Sequence, residues 1–158
     1  MTLAQAAAEW LEGARAGTIR TRSGDAYKPG TVRSYERALR LRVLPELGAH
    51  RLTDLTPFHM KDLVDRLQAQ GLDASTIQVT FASIGVIYAR ALDRGKIALN
   101  PTTGVKLPRA KGKRNRIASP EEAACLLAAL PEDDRTLWAT AMYAGLRRGE
   151  LGRSGGRT

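Results

Sequence analysis

The feature that most constrains the fold is an apolar repeat between Asp73 and Gly95. One large apolar side chain recurs every three or four residues: Ile77, Phe81, Ile84, Tyr88 and Leu92. This is the spacing of one face of an α-helix. Asp73 or Ser75 can cap the start of the helix, and Gly95 can end it. The segment is therefore predicted to be the longest helix of the chain, with this stripe in the core.

The same periodicity predicts further helices over residues 3–14, 31–44, 57–70, 119–130 and 132–144. Local start signals support them: Thr2, Thr56 before Pro57, and Ser119 with Glu122, which together form a capping box. Aromatic residues make up only 5% of the chain, so its core must consist mainly of aliphatic side chains, which suits helices. A short hairpin is predicted over residues 18–28. We expect the 158-residue chain to be all-α.

The charge distribution predicts a domain boundary and an anionic partner. Residues 1–108 carry fifteen basic and ten acidic side chains, and residues 109–116 add five basic ones and no acid. Residues 101–118 show no apolar periodicity. We therefore predict a helical DNA-binding domain over 1–99, a basic linker over 100–118 and a separate two-helix segment over 119–151. A basic front portion and a basic linker favour a nucleic-acid partner.

Other features limit the class of protein. No apolar run reaches the length of a membrane span, and the N-terminus lacks the basic region of a signal peptide, so the cytoplasm is expected and a membrane partner is not. The single cysteine, Cys125, cannot form an internal disulfide and is predicted to be a small core residue. His59 has no second ligand at metal-binding spacing and is predicted to be a surface or structural histidine.

Two helices carry candidate DNA contacts. In helix 31–44, an apolar stripe of Val32, Tyr35, Leu39 and Val43 leaves three arginines on a different face, free for an external anion. In the longest helix, hydroxyl and amide side chains lie toward the N-terminal end, where they suit base edges or phosphates. Such faces can also be merely solvated. The predicted contact set, including the linker, is Arg33, Arg37, Arg40, Thr76, Gln78, Thr80, Arg90, Lys111, Lys113 and Arg114.

A further candidate site follows Gly145, where one helix is predicted to end and another to begin at Arg147. A helix N-terminus has unpaired N–H groups and a positive dipole end, which favour an anion. Glu150 follows three residues later on the same face and can orient the guanidinium group of Arg147. A guanidinium held in this way suits bidentate contact with a phosphate.

These motifs resemble those of the tyrosine recombinases, the phage-integrase family. The segment Gly145-Leu-Arg-Arg-Gly-Glu-Leu151 is similar to the family's Gly-Leu-Arg-x-x-Glu-Leu box around its first catalytic arginine. Thr31-Val-Arg-Ser-Tyr-Glu36, Leu44-Pro-Glu-Leu-Gly48 and Asn100-Pro101 resemble other family motifs in the same order. The resemblance implies a SAM-like core-binding domain, a linker and the start of a mixed α/β catalytic domain, which together clamp double-stranded DNA.

The resemblance also implies a reaction that needs no metal or other cofactor. A tyrosine attacks the scissile phosphate to form a 3′-phosphotyrosyl intermediate, and arginines stabilise the developing charge. By this resemblance Arg147 is the first of these arginines, and Glu150 is its orienting carboxylate. Self-association on DNA is expected only in a full-length form.

The sequence departs from the family after Leu151. The family's later motifs and its nucleophilic tyrosine should follow the box, whereas Tyr27, Tyr35, Tyr88 and Tyr143 all precede it. The 158-residue polypeptide is therefore expected to be catalytically inactive alone. Residues 152–158 lack the apolar lead-in to a strand that the family has there. They suggest a one-base deletion near codon 152 and a non-native or disordered tail.

Two other functions remain open on the sequence alone. The helical domain could act as a stand-alone, non-catalytic DNA-binding regulator, or the chain could be a small basic helical protein with an acidic protein partner. The arginine box favours the recombinase interpretation, because a binding module needs no part of an active site.

Overall fold

The computed structural model describes residues 1–109 and 118–146. The chain forms two compact units, Met1–Gly112 and Lys113–Thr158. Within the described residues the regular structure is helical, with two isolated β-bridges, so the all-α prediction is confirmed. The α-helices are α1 (Leu3–Arg15), α2 (Pro29–Ala38), α3 (Leu44–Leu47), α4 (Pro57–Ala69), α5 (Ala74–Asp93), α6 (Pro120–Ala128) and α7 (Glu132–Ala144), with a π-helical turn at Leu39–Val43 between α2 and α3.

Helix α1 begins where its local capping signal predicts. The Thr2 hydroxyl accepts the N–H of Gln5 at 3.2 Å, and the Gln5 side chain accepts the N–H of Thr2 at 2.9 Å. A bridge between Thr2 and Arg51 then ties this end of the chain to the loop before α4. Three of the largest fully buried side chains, Leu3, Trp10 and Leu39, place the core between α1 and the turn that follows α2.

The predicted hairpin is present as a single bridge between Arg20 and Ala26. The N–H of Thr21 donates to the carbonyl of Asp25 at 2.8 Å, and Gly24 takes the left-handed conformation with φ of 89°. Glycine adopts this conformation without the steric cost that a Cβ would impose, which explains why the turn lies here.

Helix α2 and the turn after it differ from the predicted helix over 31–44. The helix begins at Pro29, which occupies a first-turn position where its missing N–H costs nothing. Its regular hydrogen bonding ends at Ala38, and the N–H of Leu44 reaches back five residues to the carbonyl of Leu39. Pro45 explains this widening, because its ring would crowd the carbonyl four residues earlier in a regular helix.

Helix α5 is buried on several sides. The predicted stripe is correct for its first four members, Ile77, Phe81, Ile84 and Tyr88. Leu92 is 41% exposed, and the prediction that it is a core residue is wrong. Ala91 is buried in its place, because the helical repeat continues from Tyr88 by three residues rather than four. The Tyr88 hydroxyl donates to the carbonyl of Leu52 at 3.3 Å, and burial raises the pKa of Tyr88.

The segment 101–108, which we call the strap, lies on the helical unit although it was predicted to belong to the linker. Pro101 is buried, and Val105 and Leu107 pack against the core. The side-chain amide of Gln78 donates to the carbonyl of Pro108 at 2.9 Å. The first unit therefore extends beyond residue 99.

The first described helix of the second unit, α6, begins at the predicted capping box. Ser119 accepts the N–H of Glu122 at 3.2 Å, and Glu122 accepts the N–H of Ser119 at 3.0 Å. Ala123 is the one buried residue among those described in this unit, and Trp138 is 50% exposed. Cys125 is exposed, so its predicted core position is wrong. Its helix packs against α7, and no other described element of the unit covers the thiol.

Across the described residues, no helix is both long enough and apolar enough to cross a membrane.

Candidate nucleic-acid interface

A basic groove runs between α2 and the N-terminal half of α5. We call it the α2–α5 groove. It contains two arginines, three hydroxyl side chains and no acid, and its lining consists of Ser34, Arg37, Ala38, Arg42, Ser75, Thr76 and Val79. Two of the predicted contact residues, Arg37 and Thr76, therefore come together in one surface. Guanidinium and hydroxyl groups are suited to hydrogen bonds with phosphate oxygens.

The buried apolar side of α2 and of the π-helical turn determines which side chains of this segment face solvent. Val32 and Leu39 are buried, so Arg33, Arg37 and Arg40 face solvent as predicted. Arg42 is absent from the predicted contact set. Five residues separate it from Arg37, and on a regular helix that distance rotates its side chain about 140° away from the side chain of Arg37.

Ser34, Ala38 and Arg42 are spaced four residues apart, and this spacing places them on one side of the helix and of the turn that follows it. Arg42 thus lines the same groove as Arg37.

Two carboxylates close in sequence to these arginines form ion pairs with other arginines. Glu36 lies four residues before Arg40, but its carboxylate accepts from the guanidinium of Arg15 at 2.6 Å. That hydrogen bond is the main reason why the pKa of Glu36 is lowered. Glu46 pairs in the same way with Arg66. Among the described residues, the ion pairs include none of the arginines Arg33, Arg37, Arg40 and Arg42.

The structure removes Thr80 from the predicted contact set. Thr80 is fully buried, and its hydroxyl donates to the carbonyl of Thr76 at 2.9 Å. Ser83 is buried as well and donates to the carbonyl of Thr80 at 2.6 Å. Both hydroxyl groups donate a hydrogen bond to a carbonyl of their own helix, so they can be buried without an unpaired polar group. Thr80 and Ser83 therefore belong to the core. Gln78 is partly buried and holds the strap through Pro108.

Arg90 lies in a different groove, formed by the hairpin and the C-terminal half of α5. We call this surface the hairpin–α5 groove. It brings Arg90 together with three arginines that are absent from the predicted contact set: Arg20, Arg22 and Arg94. Trp10 and Tyr27 also line it, with ring centroids 5.0 Å apart in an edge-on arrangement. Burial is the main cause of the raised pKa of Tyr27.

Several predicted site residues lie outside the described residues: Lys111, Lys113, Arg114, Arg147, Glu150 and the tail 152–158. The structure does describe the helix end before Arg147. Gly145 takes the left-handed conformation with φ of 67°, and the N–H of Leu146 donates to the carbonyl of Ala141 at 3.1 Å. The predicted end of α7 is therefore confirmed.

His59 has the structural role that the sequence suggested. Its Nδ1 accepts the N–H of Thr56 at 3.2 Å and lies 2.9 Å from the hydroxyl of Thr56, which closes the first turn of α4. The part of the chain that the structure describes contains no group of three potential metal ligands.

Comparisons with known proteins identify relatives of the helical unit. Residues 2–68 match the family described as "Phage integrase, N-terminal SAM-like domain". An integrase from Saccharopolyspora erythraea is 28% identical over 123 residues, which cover 76% of this chain and 28% of that protein. The tyrosine recombinase XerC from Ralstonia pickettii is 32% identical over 135 residues, which cover 78% of this chain and 40% of that protein.

A solved structure has a similar fold. It is the Tn1549 transposon integrase (residues 82–397 of that protein) in complex with circular intermediate DNA. The TM-score is 0.64 at 20% sequence identity, and the match covers 94% of this chain and 47% of that one. The chain thus spans less than half the length of these relatives.

Proposed function

Because the chain contains a phage-integrase N-terminal SAM-like domain and is homologous to tyrosine recombinases, we propose that it supplies the DNA-binding part of a site-specific recombinase. Its partner is double-stranded DNA, and its principal contact surface is the α2–α5 groove. The catalytic step belongs to a complete catalytic domain, to which this chain contributes the segment from residue 119 onward.

The observation that carries this proposal is the composition of the α2–α5 groove. Arg37 and Arg42 lie in a lining without acidic side chains, and the neighbouring carboxylates of Glu36 and Glu46 already have arginine partners. Arginines without an ion-pair partner are available to neutralise phosphates and release counterions, which supplies much of the affinity for DNA.

Other residues extend this surface in the proposal. Arg33 on α2 and Arg40 on the π-helical turn are exposed like Arg37 and contribute further phosphate contacts. The strap ends next to Gln78, so Arg109 begins the basic run near the N-terminal half of α5. Lys111, Lys113 and Arg114 continue that run as phosphate contacts. Self-association on DNA is a property of the complete recombinase.

The test replaces Arg37 and Arg42 together by alanine. Binding to a duplex of about 16 base pairs should weaken, and the slope of log affinity against log salt should fall by about 0.9 for each phosphate that is no longer neutralised, or about 1.8 for two. Fluorescence anisotropy over a series of KCl concentrations measures both quantities. Circular dichroism verifies that each variant is folded.

The matched control is the double variant Arg51→Ala and Lys61→Ala. It removes the same charge from exposed positions that line neither groove. The control should retain the parent slope within a few tenths. If the groove variant and the control give equal slopes, the α2–α5 groove does not bind the DNA backbone.

A further inference from the structure

The hairpin–α5 groove is a second cationic surface at the other end of α5. Its four arginines are accompanied by one acidic side chain, Asp93. We propose that this groove binds DNA phosphates, and that a single duplex contacts it and the α2–α5 groove at the same time. This inference rests on the proposed function and extends it to a second contact region.

The helical repeat places both grooves on the same side of α5. Ser75 lines the α2–α5 groove, and Asp93 lines the hairpin–α5 groove. Eighteen residues separate them, which is five complete turns at 3.6 residues per turn. The two positions therefore face the same direction and lie about 27 Å apart along the axis.

The side of α5 between the two grooves carries no charged side chain along the line from Ser75 to Asp93. The side chains on this line are small and uncharged: Val79, Ala82, Val86 and Ala89 are exposed or partly exposed. The neighbouring sides of α5 are covered, since Thr80 and Ser83 are buried on one side and Gln78 holds the strap on the other. Phosphates follow one another at about 3.4 Å along each strand, so about 27 Å corresponds to about eight base pairs.

Local contacts hold Arg20 and the hairpin in place. The guanidinium of Arg20 donates to the carbonyl of Gly24 at 3.0 Å, which attaches it to the hairpin turn. Asp25 accepts a hydrogen bond from Ser23 at 2.8 Å. Tyr27 packs on the buried ring of Trp10 and anchors the hairpin to the core. Among the described residues, the ion pairs include none of the four arginines of this groove.

The first test is the double variant Arg22→Ala and Arg94→Ala. On a duplex of about 16 base pairs, its log–log salt slope should be smaller than that of the parent by about 0.9 for each phosphate that these arginines neutralise. The control variant Arg51→Ala and Lys61→Ala should keep the parent slope. If the hairpin–α5 variant behaves like the control while the Arg37 and Arg42 variant does not, the hairpin–α5 groove does not bind DNA phosphates. The proposed function is then unaffected. If neither groove variant differs from the control, the proposed function fails too.

A second measurement tests whether one duplex reaches both grooves. A DNA hairpin with a stem of about six base pairs is about 20 Å long and cannot span the distance of about 27 Å between them. On this short stem, the difference in slope between the parent and the hairpin–α5 variant should shrink to less than half of its value on the longer duplex. An equal difference on both lengths would show that the grooves act independently, which overturns the single-duplex arrangement.

Discussion

Replacing Trp10 with alanine should destabilise the helical unit by about 3–5 kcal/mol, the cost typical of deleting a large buried aromatic side chain. Trp10 is 1% exposed, and its ring lies 5.0 Å from that of Tyr27 and 5.7 Å from that of Tyr35. Domains of this size have total stabilities of about 5–15 kcal/mol, so the decrease is a large fraction of the total. Urea denaturation followed by circular dichroism measures it.

The consequences of this change should extend to DNA binding. Tyr27 anchors the hairpin and Tyr35 belongs to α2, so the aromatic cluster supports an element of each groove. The matched control is Trp10→Phe, which keeps an aromatic ring and should cost much less. Equal unfolding midpoints for the parent and the alanine variant would show that this cluster does not hold the unit together.

The parts of the fold that sequence predicted well depend on local interactions. The caps formed by Thr2 and Ser119 are bonds between residues three apart, and the helix end at Gly145 depends on one residue's own conformational freedom. Such features are visible in a short window of sequence. Helix α2 begins two residues before its predicted start, because Pro29 occupies a first-turn position.

The less successful predictions depend on tertiary packing. Helix α5 is buried on several sides, so its sequence carries no clear polar stripe. Thr80 was therefore predicted to be exposed and Leu92 to be buried, whereas the structure shows the reverse. The strap depends on a bond between Gln78 and Pro108, which are 30 residues apart, and no local pattern reveals it.

The candidate interface shows the same division. Arg33 and Arg37 followed from the apolar stripe of α2, whereas the place of Arg42 in the groove became clear only when the structure showed Ala38 in the lining. Arg20 and Arg22 lie on a hairpin about 70 residues before Arg90 in the chain. Their shared groove exists only because the hairpin packs against α5. Sequence therefore identified single arginines, and folding determined which of them act together.

The second large effect is expected at Arg147, in an active protein that continues this chain. A suitable chimera replaces residues 152–158 with the remainder of the catalytic domain of the Ralstonia pickettii recombinase. On the proposed function, Arg147 stabilises the charge on the scissile phosphate. Arg147→Lys keeps the positive charge but removes the planar fork of donors, so strand cleavage should slow by about 10²–10³-fold, the range for removing one transition-state donor.

The neighbouring arginine provides the matched control for this variant. Arg148 falls on a position that the Gly-Leu-Arg-x-x-Glu-Leu pattern leaves unspecified, so Arg148→Lys should cleave at close to the parent rate. Covalent protein–DNA adduct on a suicide substrate measures cleavage, and anisotropy measures DNA affinity separately. Affinity should be unchanged in both variants, because the proposed contact grooves belong to the first unit. If Arg147→Lys forms adduct as fast as Arg148→Lys, the guanidinium of Arg147 has no part in the chemical step.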